Sequence, residues 1–379
     1  MNNRLKKLGL PRMKQEAGER RVFLPEFVSQ LVDLGFEVFI EEGYGSRSGY
    51  TFDDYQRGNP LISRVTRKEA FSQEYVLILR SPNPEEFDLI PAGTCLISML
   101  HYPTRAARVH KLIQKKINAI SLDSIVDDYN MRLVENMKAV AWNGLEAAFD
   151  VLETRFPNLV KPNGQPWKSL ILGTGMVGKH AVDAATKLGN IERNNEHIEN
   201  NGPGAIAWSI GRNLAYKADQ MRELFSQVDV LVDASQRRNP SVPVVPNEWI
   251  AWLPEHAIVV DLSVDPYKLD QDPPVVRGIE GIPQGDLNQY IFHSADPHWC
   301  DKIPEHINTS ARRTSVSCYS WPGIHPEACM RHYAQQLLPL MEVLAEKGCA
   351  GLSPDGGYFE RALYRATLQA FLSVQEAHG

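Results

Sequence analysis

The stretch Leu170-Ile171-Leu172-Gly173-Thr174-Gly175-Met176-Val177-Gly178 decides the fold of this chain. A short apolar run is followed at once by glycines in the spacing G-x-G-x-x-G, and a helix pattern continues over 179–188. In a strand-turn-helix of this kind the first glycine permits a tight turn, the second admits a pyrophosphate close to the backbone, and the third lets helix and strand pack closely. A glycine-rich turn without a ligand is the alternative. Its place between strand and helix favours a Rossmann domain that binds a dinucleotide.

The end of the second Rossmann strand indicates which dinucleotide binds, because an acid there holds a ribose and an arginine can hold a 2′-phosphate. The run 205–209 ends without an acid, while Ser209 and Arg212 offer a hydroxyl and a cation. NADP is therefore slightly favoured over NAD, with a solvent-exposed arginine as the alternative. The predicted cofactor-binding residues are Gly173, Gly175, Met176, Val177, Gly178, Ser209 and Arg212.

Working outward from the motif, short apolar runs alternate with helical patterns on both sides. The runs lie at 37–41, 75–80, 94–100 and 118–122, and then at 169–172, 205–209, 228–233 and 257–262. This alternation is typical of parallel βαβ units. The sequence predicts an α/β protein with two Rossmann-like domains that contain parallel sheets.

Several longer segments also have a clear pattern. Residues 136–156 and 327–347 read as long helices, and 358–376 as a short amphipathic segment. The Asn-rich stretch 189–204 reads as a surface loop, and 266–313 as irregular structure.

The bulk composition limits the classes of function. The chain has 379 residues, 43% of them hydrophobic and 23% charged, as expected for a folded protein of about two domains. A net charge of -6 argues against nucleic acid and anionic membranes as partners. The N-terminal residues lack the apolar run of a signal peptide, and five scattered cysteines suit reduced thiols, so we expect a cytoplasmic protein without a metal site. His298, Cys300 and His306 do not supply a second ligand pair at zinc spacing.

Three basic side chains are candidates for a substrate site. Arg21 precedes Val22, Arg80 ends an apolar run, and His101 follows another. Guanidinium groups at strand ends suit carboxylates, and a histidine can carry or release a proton near pH 7. Surface cations and a structural histidine are the alternatives.

Short motifs in a fixed order carry a resemblance to a known family. They are Glu19-Arg20-Arg21-Val22, Glu41-x-Gly43-x-Gly45, Leu100-His101, Ala119-Ile120-Ser121-Leu122-Asp123, the glycine motif, Val259-Val260-Asp261-Leu262-Ser263-Val264-Asp265 and Trp321-Pro322-Gly323. In this order the chain resembles alanine dehydrogenase and the transhydrogenase nucleotide-binding subunit. Lysine-forming saccharopine dehydrogenase is similar in layout and length.

The resemblance implies a role for each matching residue. Arg21 would hold the substrate carboxylate, His101 would be the acid/base, and Asp265 would lie near the nicotinamide and the reacting carbon. The resemblance also implies that the Rossmann domain is inserted into a discontinuous one, with a substrate domain at 1–140 and 324–379 and an NAD(P)-binding domain at 141–323. It leaves monomer and homo-oligomer open.

Two departures from the family pattern qualify the expected substrate. Arg80 replaces a lysine and cannot act as a base, because a guanidinium keeps its proton. Ser320 stands where alanine dehydrogenases have asparagine in Asn-Met-Pro-Gly, so alanine itself is not the expected substrate.

The resulting hypothesis is an NAD(P)-dependent amino-acid or opine-type dehydrogenase acting on CH-NH₂ or CH-NH donors. His101, Asp265 and Arg80 would be catalytic, and Arg21, Arg80 and Ser320 would bind the amino acid or keto acid. The alternatives are a non-catalytic, transhydrogenase-like nucleotide-binding module and an oxidoreductase for a hydroxy acid.

Overall fold

The computed structural model describes residues 5–14, 16–270 and 272–378, and the chain divides into two compact units. Unit 1 consists of Met1–Asn136 and His325–Gly379, and unit 2 of Met137–Ile324. Each unit contains one six-stranded sheet with helices. The predicted fold class, two Rossmann-like α/β domains with parallel sheets, is confirmed.

The strands follow one another along the chain with helices between most of them. They are β1 (Lys6–Leu10), β2 (Phe36–Glu41), β3 (Ile62–Val65), β4 (Tyr75–Arg80), β5 (Cys95–Met99), β6 (Asn118–Ser121), β7 (Trp167–Leu172), β8 (Ala205–Ile210), β9 (Val230–Asp233), β10 (Ile258–Asp261), β11 (Ile291–Phe292) and β12 (Thr314–Ser317).

The α-helices range from one turn to six. They are α1 (Pro25–Asp33), α2 (Phe52–Gln56), α3 (Arg67–Phe71), α4 (Ala106–Gln114), α5 (Met137–Arg155), α6 (Met176–Thr186), α7 (Ile191–Glu199), α8 (Arg212–Ala215), α9 (Ala218–Phe225), α10 (Pro326–Lys347), α11 (Tyr358–Arg365) and α12 (Leu368–His378). None of the helices in the described residues is long and apolar enough to cross a membrane.

The sheet of unit 1 has the order β3-β2-β1-β4-β5-β6, and every neighbouring pair is parallel. From β1 the chain adds β2 and β3 on one side and then β4, β5 and β6 on the other, so the strand order reverses between β1 and β4. Ligands of open α/β sheets bind beside the carboxyl ends of the strands at such a switch point. The loops after β1 and β4 therefore mark the expected ligand edge of unit 1.

The sheet of unit 2 has the order β11-β12-β10-β9-β7-β8, with β11 as a short antiparallel edge strand. Its switch point lies between β7 and β9, where the glycine motif follows β7. Apolar residues are buried on both faces of this sheet, with Ile171 and Val260 on one face and Leu170 and Leu231 on the other. A strand buried on both faces explains the continuous apolar runs of the sequence.

The C-terminal helices belong to the core of unit 1. Leu337 and Leu344 of α10 and Leu363 of α11 are buried in the same cluster as the strands β1–β6. Ser121 at the end of β6 donates from its backbone to the carbonyl of Ala366.

Some local predictions were wrong. The stretch 189–204 contains the helix α7, because the Asn190 side chain caps it by accepting from Glu192 N and Arg193 N, and because His197 is buried. The segment 358–376 is two helices, α11 and α12. The strands β1, β3, β11 and β12 were not predicted, since each has only two to five residues, and β11 lies within the stretch 266–313 that reads as irregular.

Candidate active site

Arg21 lies in the long loop after β1, at the ligand edge of unit 1, and is buried. Its Nε donates to Glu19 Oε1 at 2.9 Å, and its backbone N–H donates to the same oxygen at 2.9 Å. Burial alone would raise the pKa of Glu19, but the hydrogen bonds and the charge of Arg21 outweigh it and lower that pKa. The pair is therefore ionised.

Glu16 joins the two arginines that the sequence selected for carboxylate binding. Its Oε1 lies 2.7 Å from Arg80 Nη2, and its Oε2 lies 3.5 Å from Arg21 Nη2. The structure thus brings Arg21 and Arg80 together across the switch point, with one carboxylate between them. A geometry that accepts the carboxylate of Glu16 is suited to that of a ligand.

A small pocket of about 90 Å³ opens beside Arg21. Among the described residues that line it there are five cations and one acid: Arg12, Lys14, Arg20, Arg21, Arg47 and Glu19. Glu41 lies behind them, 3.2 Å from Arg12 and 3.1 Å from Lys14. The excess of cations makes this pocket suitable for a small anion.

His101 lies two residues after the end of β5 and has a left-handed backbone, with φ 51° and ψ 50°. Its Nδ1 lies 3.0 Å from Asp123 Oδ2, and its backbone N–H donates to Asp123 Oδ1 at 3.1 Å. Ser121 Oγ donates to the same carboxylate at 2.8 Å. Burial would raise the pKa of Asp123, but these hydrogen bonds and the His101 charge lower it to about 2. The ionised carboxylate fixes the ring with Nδ1 inward.

The other ring nitrogen of His101 is available for chemistry. The side chain is about half exposed, and no residue in the described part of the chain bonds its Nε2. Arg80 is in register with Met99, two residues before His101 on the neighbouring strand. His101 and Arg80 therefore lie at the same edge of the sheet.

In unit 2 the glycine motif forms a cradle in which side chains have no room at two positions. A Cβ on Gly173, whose φ is 122°, would lie 2.4 Å from Ala234 O, and one on Gly178 would lie 2.1 Å from Gly173 O. A Cβ on Gly175, at the start of α6, would meet nothing within 4 Å. The open space is therefore at the glycine that approaches a pyrophosphate, and the motif fits a dinucleotide.

A pocket of about 320 Å³ adjoins this cradle at the carboxyl ends of β7, β8 and β9. Gly173, Gly175 and Arg212 line it, and its described lining contains no carboxylate. Arg212 Nη2 donates to Gln236 O at 2.8 Å, while Ser209 Oγ donates to Gly173 O at 3.0 Å. Arg212 thus forms part of the wall of this pocket, and Ser209 holds the glycine turn through its bond to Gly173.

The remaining predicted residues have different surroundings. Met176 is exposed in the first turn of α6, followed by Val177 and the buried Gly178. Asp265 is partly exposed and lies 2.6 Å from Arg237 Nη2. Ser320 is buried in unit 2, and its carbonyl accepts from Gly323 N at 2.8 Å.

A buried charge cluster lies below the ligand edge of unit 2. Asp261 accepts from Arg277 and Ser317, and Ser263 Oγ lies between the two carboxylates, 2.8 Å from Asp233 Oδ2 and 3.0 Å from Asp261 Oδ1. Burial first, and the charge of Asp261 second, raise the pKa of Asp233 to about 6. The described residues of the cluster thus include two carboxylates, Asp233 and Asp261, and one guanidinium, which is bonded to Asp261, so one proton would neutralise the cluster.

Sequence reasoning missed several partners of the site. Asp123 could have been found, because it follows an apolar run just as His101 does and parallel strands end at one edge. Glu16 and Arg237 lie in loops without a distinguishing pattern, so no signal in the sequence indicates their role. No group of three or more His, Cys, Asp or Glu side chains within 5–14, 16–270 and 272–378 is arranged to hold a metal ion.

Comparison with known proteins gives a consistent result. The family described as "Alanine dehydrogenase/PNT, N-terminal domain" matches residues 9–141. The alanine dehydrogenase of Bacillus subtilis is 24% identical over 275 residues, which cover 68% of this chain and 70% of that protein. The NAD(P) transhydrogenase subunit alpha of Haemophilus influenzae is 25% identical over 192 residues, 49% of this chain, and the match spans only 37% of that protein's length.

Solved structures share the fold over nearly the whole chain. An L-alanine dehydrogenase superposes with a TM-score of 0.69 at 22% identity and covers 95% of this chain and 94% of its own. A transhydrogenase from Sinorhizobium meliloti gives a TM-score of 0.62 at 15% identity, with 94% and 97% covered. At these identities the likeness establishes the fold.

Proposed function

We propose that this chain, whose residues 9–141 belong to the alanine dehydrogenase/PNT N-terminal domain family, is an NAD(P)-dependent dehydrogenase that acts on the CH-NH₂ or CH-NH group of an amino acid or opine. The observation that carries the proposal is the His101–Asp123 pair beside Arg80, because a module that only binds nucleotide has no need of an oriented imidazole. The glycine cradle of unit 2 supports the cofactor.

The cofactor would supply hydride transfer at its nicotinamide ring. Gly173, Gly175 and Gly178 would hold the pyrophosphate, and Met176 and Val177 would present backbone N–H groups at the start of α6. Arg212 would lie at the adenosine end, where a cation and the lack of a carboxylate favour NADP over NAD.

Unit 1 would bind and protonate the substrate. Arg21 and Arg80 would hold its carboxylate, since they already hold that of Glu16. His101 Nε2 would move a proton to and from the substrate nitrogen and the water that adds to the imine carbon, and Asp123 would keep the ring oriented. From unit 2, Asp265 would stabilise the cationic imine. Ser320 is proposed to border the substrate.

The test combines binding and turnover. The wild-type chain should quench or enhance NAD(P)H fluorescence on binding, and a screen of amino acids, and of keto acids with ammonia or amines, should change NAD(P)H absorbance. Binding without turnover of any pair would favour the non-catalytic module. Reduction of a keto acid without an amine would favour the hydroxy-acid oxidoreductase.

Gly175→Val tests whether the glycine motif is the dinucleotide site. Its side chain would enter the open space of the cradle, so we expect NAD(P)H affinity to fall by at least about a hundredfold. The unfolding temperature should stay near that of the wild type, because a Cβ at this position meets nothing within 4 Å. Unchanged affinity in this variant would contradict a dinucleotide site at the motif.

A further inference from the structure

The turn after β10 is held in a conformation that its residues do not favour. Val264 has a φ of 56°, in the left-handed region, which is rare for a β-branched side chain. Such a backbone persists only where the surroundings hold it, and it is found most often at functional sites. The next residue is Asp265.

Asp261 holds this turn from the strand side. Its Oδ1 accepts from Val264 N at 2.9 Å and from Ser263 Oγ at 3.0 Å. These bonds fix the backbone up to Val264, but they do not reach the carboxylate of Asp265.

Arg237 holds the carboxylate itself. Its Nη2 lies 2.6 Å from Asp265 Oδ2, and no residue in the described part of the chain donates to Oδ1. One oxygen of Asp265 is thus fixed, and the other is left for a ligand.

Arg237 is held in place by the backbone around it. Its side chain is only 3% exposed. It donates to four carbonyl oxygens at 2.5–3.4 Å, those of Pro240, Val242, Val276 and Arg277. Asp265 is its only carboxylate partner among the described residues. A buried cation is costly unless it is paired, so Arg237 keeps the Asp265 carboxylate beside it.

We propose that Arg237 is a positioning residue for Asp265: it fixes Oδ2 so that Oδ1 faces the substrate nitrogen. The inference rests on the proposed function, because only there does Asp265 have a ligand. Arg237 acts through Asp265 and does not itself touch the reacting atoms.

A double-mutant cycle tests this. Arg237→Gln and Asp265→Asn should each lower kcat by about ten- to a hundredfold, with the KM for NAD(P)H nearly unchanged, and the double variant should be no slower than Asp265→Asn alone. Arg237→Lys should recover part of the loss, because it keeps the charge. Arg238→Gln, the neighbouring exposed arginine, is the control and should behave as the wild type. Multiplicative losses in the double variant, or equal effects of Arg237→Gln and Arg238→Gln, would overturn the proposal.

A second measurement needs no turnover. Hydrogen–deuterium exchange of a peptide covering 262–266 should rise in Arg237→Gln and stay at the wild-type level in Arg238→Gln. If Arg237→Gln does not fold, the comparison is made between Asp265→Asn, which removes the same ion pair, and Arg238→Gln. Equal exchange in the compared variants would refute the positioning role even if the enzyme is active. A wild-type chain that binds no coenzyme would refute the proposed function, and the exchange result would then report only how the turn is held.

Discussion

The two units have related sheets, but charged side chains line the ligand edge of unit 1, whereas glycine backbone forms that of unit 2. At the switch point of unit 1, between β1 and β4, charged side chains fill the edge and leave a pocket of about 90 Å³. At that of unit 2, between β7 and β9, glycines leave the backbone open beside about 320 Å³. The fold sets where a ligand can bind, and the loop after the first strand decides which chemistry it must have.

The two edges also differ in how their charges are balanced. In unit 1, Arg21 and Arg80 are matched by Glu16 and Glu19. In unit 2, Asp233 and Asp261 lie with the single guanidinium of Arg277, which leaves one carboxylate in excess. The first arrangement suits the exchange of one carboxylate for another, and the second suits the retention of a proton.

The largest expected effect is the loss of turnover when the proposed proton-transfer residue of unit 1, His101, is removed. His101→Ala should lower kcat by about two to four powers of ten. The reason is that no other histidine among the described residues is placed at this edge to transfer the proton. Binding of NAD(P)H, measured by fluorescence, should change little, since the cradle is in unit 2. His110→Ala, an exposed histidine of α4, serves as the control. Equal rates for the His101 variant and the wild type would remove this residue from the mechanism.

The next effect concerns the proton held in unit 2. A raised carboxylate pKa favours folding at low pH, so the contribution of Asp233 is present below about pH 4 and is lost as the pH rises through about 6. A pKa about two above the ordinary value corresponds to about 3 kcal/mol.

Asp233→Asn should therefore be more stable than the wild type at pH 7.5 by up to about 3 kcal/mol in urea unfolding, with the gain absent at pH 4. The amide can still accept from Ser235 N. A variant less stable than the wild type at pH 7.5 would show that the ionised carboxylate is well stabilised by its hydrogen bonds from Ser235 and Ser263.

Much of this comparison could be predicted from the sequence. Strands of a parallel sheet are buried on both faces, so they leave continuous apolar runs in the sequence, as at 75–80 and 257–262. The glycine spacing in turn predicts the cradle. The central strand β1 could not be predicted, because Lys6 and Lys7 interrupt its apolar run and its glycine lowers the β propensity.

The pairing of charges could not be predicted in the same way. Glu16 reaches Arg80 across 64 positions of sequence, and Arg237 reaches Asp265 across 28. Such contacts depend on which loops meet at an edge, and a single sequence does not encode this in any local period. The sequence shows which residues are charged, but it does not show which of them form ion pairs.

Glu16→Gln tests whether a ligand carboxylate takes the place of an internal one. If it does, removal of the competing charge should lower the KM for the keto acid by about tenfold, which is about 1.4 kcal/mol. Glu42→Gln, an exposed neighbour of the same edge, should leave the KM unchanged. An increased KM would show that Glu16 helps Arg21 and Arg80 to bind the substrate.

The smallest expected effect is at the adenosine end of the cradle. Arg212 is exposed and already donates to Gln236 O, so its contact with a 2′-phosphate would be screened by solvent and worth about 1 kcal/mol. Arg212→Gln should weaken NADPH binding by about fivefold and leave NADH binding unchanged, when both are titrated at low salt. Lys217→Gln, an exposed cation five positions further along, is the matched control. Equal weakening of both coenzymes would assign Arg212 to the pyrophosphate, because that group is common to the two and the 2′-phosphate is not.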